Sequence, residues 1–206
     1  MRSEATNTLR LCIVLCVLSL PAEAASQTPQ ELCASSLGEG RSQDGSARIA
    51  WARDRSLTWT DFQAKAPAQA VEAAGSCVGF DVSWECADAG ITFVVKAAFD
   101  PAQSWVRAGS ETDALLRHEQ THFDLTELFA RRLRKQFTQL KDPCKDPQGA
   151  RRIIDGAVID MYRGWGQAQK SYDEETGQGT EASSQRAWDQ RTQQELDALK
   201  EFEPGR

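Results

Sequence analysis

Leu115-Leu116-Arg117-His118-Glu119-Gln120-Thr121-His122-Phe123-Asp124 is the stretch on which the fold turns. Around it, Leu115, Leu125, Phe129, Leu133, Phe137 and Leu140 recur at three- and four-residue spacing, and His118 and His122 fall in the same stripe. That periodicity predicts one long helix from Glu111 to about Lys141 with a single inward face. Four residues of α-helix bring a side chain back to within about 40° of its starting direction, so both imidazoles face the same way, one turn apart. They are the only histidines among the 206 residues.

H-E-x-x-H on a helix has a specific chemistry. Two imidazoles can grip one ion, and Glu119 sits beside the pair, within reach of a water on the metal rather than of the metal itself. Zinc is the expected ion, because imidazole suits it and a catalytic zinc site takes three protein ligands plus a water. Glu119 then takes the general-base role. A third ligand must come from elsewhere, and no histidine remains. Asp124 points roughly 200° away from His122 on the helix, so Asp173, Glu174 and Glu175 are better placed.

Upstream, Val78, Phe80, Val82 and Trp84 alternate with smaller or polar residues, and Ile91 to Phe99 is β-branched and apolar. These two runs predict a hairpin across residues 87–90, ended by Asp100-Pro101. Ile49-Ala50-Trp51 and Leu57-Thr58-Trp59 read as short strands, with Thr60 or Asp61 free to cap a following helical turn. Asp146-Pro147 opens a second helix running to about Lys170, Tyr172 to Gly179 reads as a break, and a last helix covers roughly Ser183 to Lys200. The expected fold is α+β and zincin-like, a small antiparallel sheet followed by the long H-E-x-x-H helix and two further helices.

Residues 1–24 read as an export signal: Arg2 and Arg10, an apolar run from Leu11 to Leu20, then Ala22-Glu23-Ala24 before the cleavage point. The run is well short of the roughly 20 residues of a membrane-spanning helix. Residues 25–46, rich in Ser, Gln and Gly, form a partly ordered lead-in, and the metallohydrolase domain occupies 47–203. The net charge of -6, with no basic patch and no polybasic segment, argues against nucleic acid and anionic membranes as partners. Cleavage leaves Cys33, Cys77, Cys86 and Cys144, an even set in an exported chain. On one strand, Cys77 and Cys86 stand roughly 30 Å apart, too far to bridge. Cys33 therefore pairs with one of them and Cys144 with the other.

Several segments together resemble a known family, the bacterial domain of unknown function 922, whose members are described as secreted zinc-dependent proteases. They are Leu57-Thr-Trp-Thr-Asp-Phe62, Ser104-Trp-Val106, Leu115 to Asp124 and Tyr172-Asp-Glu-Glu-Thr-Gly-Gln-Gly179, followed by Gln185 and Trp188. The resemblance implies a secreted or periplasmic zinc peptidase acting on a peptide or protein. It also implies a third ligand at position 178, where the family commonly has histidine in Tyr-Asp-x-x-Thr-x-His-Gly and this chain has Gln178. Either Gln178 coordinates through its oxygen, or Glu175 substitutes, or catalysis has been lost and the protein is a binding pseudoenzyme of the cell envelope. A disulfide-bonded domain with two core histidines is a third reading. By analogy with zinc peptidases, the strand from Ile91 to Phe99 is expected to offer an edge to an extended peptide.

Overall fold

The computed structural model describes residues 48–87, 90–141 and 143–204. The expected export signal, the lead-in with Cys33, the hairpin's central turn residues and Asp142 lie outside the described residues. A three-stranded antiparallel sheet has the order β1-β4-β3, from Ile49–Ala50 (β1), Gly90–Phe99 (β4) and Val78–Ala87 (β3). The β3–β4 hairpin pairs over its full length, from Val78 opposite Phe99 to Ala87 opposite Gly90. A second ribbon joins Ala74–Gly75 (β2) to Trp105–Val106 (β5). Three helices follow: α1, Asp113–Thr138; α2, Pro147–Thr176; and α3, Ala182–Ala198.

Alternation along the hairpin puts Phe80 and Val95 on the inner face, against the apolar stripe of α1. Phe99 lies near Phe123 at one end, and Phe93 packs on Phe137 at the other. The hairpin thus runs along α1, and the base of β4 marks the histidine end. Phe80 also meets Tyr162 and Trp165 edge-on, which seats α2. Cys86 is bonded to Cys144, tying β3 to the turn before α2, and Cys77 is disulfide-bonded as well. Of the two pairings left open for Cys144, the structure selects Cys86.

Three expectations change. Leu57-Thr58-Trp59 is not a strand: the Asp61 carboxylate accepts from the Thr58 backbone N–H at 2.8 Å, turning Trp59–Asp61 into a short 3-10 helix. Strand β4 is central rather than an edge, with β3 along one side and β1 on the other at Ala98 and Phe99. Among the described residues, the part of its outer edge left without a strand partner lies toward Phe93 and Phe137, away from the histidines. Finally, α2 does not stop near Lys170 but continues through Tyr172 and Asp173 to Thr176. It ends at Gly177, whose left-handed backbone (φ 53°) closes the last turn. A helix continues until a residue leaves right-handed geometry, and Tyr172–Thr176 contains no such residue.

Candidate metal centre

The site is built where α1 begins, α2 ends and α3 starts. Thr112 caps α1, its hydroxyl accepting from the Leu115 N–H at 3.2 Å. Six and ten residues on, His118 and His122 are both buried. Since α2 runs antiparallel to α1, its last turns carry Gln169, Tyr172 and Asp173 past the two histidines. Asp173 Oδ1 lies 2.9 Å from His122 Nε2 and 3.2 Å from His118 Nε2, and the two Nε2 atoms are 3.1 Å apart. These three atoms form a compact triangle. Nitrogen ligands at the usual zinc distance in a tetrahedral site stand about 3.3 Å from one another.

The outer nitrogens show how the rings are held. His122 Nδ1 is 2.7 Å from Gln169 Oε1, and His118 Nδ1 is 3.2 Å from Gln185 Oε1. The Gln169 amide nitrogen faces the His122 carbonyl at 3.0 Å, which can only accept, so the amide oxygen must face the ring. Each Nδ1 therefore donates, which leaves an Nε2 lone pair on each ring pointing into the triangle. Two lone pairs and a carboxylate oxygen within about 3 Å of one another repel unless a cation lies among them. No Lys or Arg among the described residues enters the triangle.

In the absence of a metal, a proton must take that place. Burial disfavours the charged form of His122, but the hydrogen bond to Asp173 and the charges of Asp173 and Glu119 outweigh it and raise the imidazole to about 9. Asp173 is itself pushed up by burial, yet the hydrogen bonds and charges of both histidines hold it well below the usual carboxylate range. A site that traps a proton this firmly also suits a divalent ion.

Glu119 is buried beside the histidines. Its carboxylate makes no side-chain hydrogen bond among the described residues. Asp124 points to the far side of α1, as helix geometry requires, and accepts from Trp51, Gln120 and Gln193. Glu175 is turned away to accept from Trp188 Nε1 at 2.8 Å. Trp188 packs on Tyr172, and Tyr172 stacks on His118 with ring centroids 4.6 Å apart. Gln178 is exposed, in a left-handed conformation (φ 55°), and with Asp173, Glu174 and Gly177 it lines a shallow depression. Next to it, Gly179 (φ +85°) presses so closely on His118 that a Cβ there would stand 3.0 Å from the histidine's own. The structure thus brings Asp173 to both histidines, with Gln178 at the mouth.

A model of the family described as "Bacterial protein of unknown function (DUF922)" matches residues 25–179. The chain belongs to this family. No curated protein and no solved structure matches it. The DUF922 match takes in both histidines, Glu119, Asp173 and the Gly177-Gln178-Gly179 turn, and it ends before α3. Sequence reading missed Gln169 and the part played by Gln185. Gln169 had a local signal: it lies four residues before Asp173, on the same face of α2. Gln185 had none, because its approach to His118 depends on how α3 folds back.

Proposed function

We propose that this DUF922 protein is a zinc-dependent hydrolase, most simply a peptidase, with His118, His122 and Asp173 as metal ligands and Glu119 as general base. The observation that carries this reading is the triangle of His118 Nε2, His122 Nε2 and Asp173 Oδ1, preoriented by two glutamine carbonyls and, among the described residues, entered by no Lys or Arg. Bound zinc would acidify a water and polarise a substrate carbonyl. Tyr172 and the Gly177–Gly179 turn hold His118 in place. Glu119, whose carboxylate has no side-chain hydrogen bond among the described residues, is able to receive a proton and hand it on to a leaving amine. Two imidazoles and one carboxylate are also the donor set of mononuclear iron(II) centres. The unengaged Glu119 favours hydrolysis over that alternative.

The pseudoenzyme reading rests on Gln178, and the position of Asp173 beside both histidines supports a three-ligand set that does not call on residue 178. The Cys86–Cys144 bond supports an oxidising compartment, secreted or periplasmic. No helix among the described residues is long and apolar enough to cross a membrane.

The test is elemental analysis of protein purified without chelators, followed by hydrolysis of an unstructured protein such as casein. One zinc per chain is expected, with Glu119→Gln keeping the zinc and losing hydrolysis. Protein that takes up no zinc and shows no rise in melting temperature when zinc is added would sink the metal assignment. Retained hydrolysis in Glu119→Gln would remove the base.

A further inference from the structure

Beyond the three ligands, we propose that Gln185 and Asp189 on α3 are positioning residues that lock His118 into its metal-binding orientation, so that the centre is incomplete without a helix lying past the DUF922 match. This rests on reading His118, His122 and Asp173 as metal ligands.

The two histidines are oriented by different means. For His122, the Gln169 amide nitrogen reaches two neutral acceptors, the His122 carbonyl at 3.0 Å and Thr126 Oγ1 at 3.2 Å. That arrangement is confined to α1 and α2, inside the span 25–179. For His118, the orienting amide comes from α3. Gln185 Nε2 donates to Asp189 Oδ1 at 2.7 Å and to Tyr172 Oη at 2.6 Å. With both amide hydrogens used, Oε1 is the atom left to face His118 Nδ1 at 3.2 Å.

Asp189 makes this arrangement one-way. A carboxylate cannot donate, so Gln185 cannot turn its amide over without setting two oxygens against each other. Thr121, within the H-E-x-x-H segment, donates to the same Asp189 Oδ1 at 2.8 Å and pins the acid to α1. Gln185 is 5% exposed, so water cannot take over its role at the ring. Outer partners of ligating histidines are commonly acids or backbone carbonyls. Here the acid acts one residue removed, through an amide, so His118 gains orientation while no second negative charge touches its ring.

The experiment uses the full chain and zinc alone, with affinity read by competition against a chromophoric chelator and folding checked by melting temperature. Asp189→Asn frees the Gln185 amide to turn and is expected to weaken zinc binding by about 10- to 100-fold. Gln185→Glu added to Asp189→Asn restores a one-way acceptor at His118, since a carboxylate cannot turn over, and should recover affinity to within about threefold of the unaltered protein. Nitrogen-15 imidazole spectra of the zinc-loaded proteins should show His118 bearing its hydrogen on Nδ1 in the unaltered protein and the double variant. Unaltered zinc affinity in Asp189→Asn overturns the inference and leaves the metal assignment standing. Loss in Asp189→Asn without recovery in the double variant also overturns it, because Asp189 then acts only through packing. Absence of zinc binding by the unaltered protein overturns the metal assignment and this inference together.

Discussion

Helix α1 buries ionisable side chains at both ends, and the two ends solve the problem in opposite ways. Toward its C-terminus, Glu127 and Arg131 are fully buried and Arg134 nearly so. Glu127 accepts from Arg131 Nε and Arg134 Nη2, each at 2.8 Å. The arginines also reach the carbonyls of Leu196, Val95 and Phe202, and Arg131 Nη2 stands 3.3 Å from Glu203 without hydrogen-bond geometry. Burial pushes the Glu127 carboxyl up, and the two guanidinium groups pull it only part of the way back. Positive and negative charges at this end are both supplied by the chain. At the N-terminal end His118, His122 and Asp173 supply three acceptors and no fixed cation. The same helix therefore carries one polar cluster that is closed and one that is left open for an ion.

The largest expected effect breaks the closed end. Glu127→Ala leaves two buried guanidinium groups with Glu203 as the one acid still near them among the described residues and should cost about 3–5 kcal/mol of unfolding free energy, measured by denaturant titration. Saturating zinc should raise the melting temperature of this variant as much as that of the unaltered protein. If zinc binding fell along with stability, the two ends would not be independent.

A pH titration addresses the open end. With its folded value raised from 6.5 to about 9, His122 contributes stability that is fully present below pH 6.5 and lost as pH rises through about 9, on the order of 3 kcal/mol. Asp173, held low, contributes stability that is present above its unfolded value of 3.8 and lost as pH falls below it. Metal-free protein should thus lose melting temperature from pH 6.5 to 9, and zinc should flatten that slope. A flat profile in metal-free protein would show that no shared proton holds the triangle together.

Loss of Cys86–Cys144 affects the hairpin, which both ends of α1 share. The double change Cys86→Ser and Cys144→Ser, which leaves the Cys77 disulfide in place, should cost about 2–4 kcal/mol, seen as a lower melting temperature with one-to-one zinc binding retained. The smallest effect is at Thr112. Thr112→Ala removes the cap of α1 and should cost about 1 kcal/mol without altering zinc stoichiometry, because the cap lies a turn and a half before His118.

The part of this contrast that sequence reveals is the part that depends on local period. The α1 stripe, the hairpin and the facing pair His118 and His122 follow from spacing alone, as does the direction of Asp124. The rest depends on contacts between distant segments. Asp173 could be counted among three neighbouring acids, but choosing it required α2 to continue through Tyr172, and the glycines at 177 and 179 suggested an earlier end. Glu127, Arg131 and Arg134 lie off the apolar stripe of α1, and nothing in their spacing marks them as buried. Only the return of residues 196–203 across β4 and α1 makes them interior.

That return also makes the far end of the chain part of the interior. Arg131 and Arg134 bind the carbonyls of Leu196, Val95 and Phe202, over separations of 39 to 68 residues. Contacts this distant in sequence form slowly compared with a helix. A chain cut short before residue 196 would lose the Leu196 and Phe202 carbonyls and leave both guanidinium groups short of acceptors.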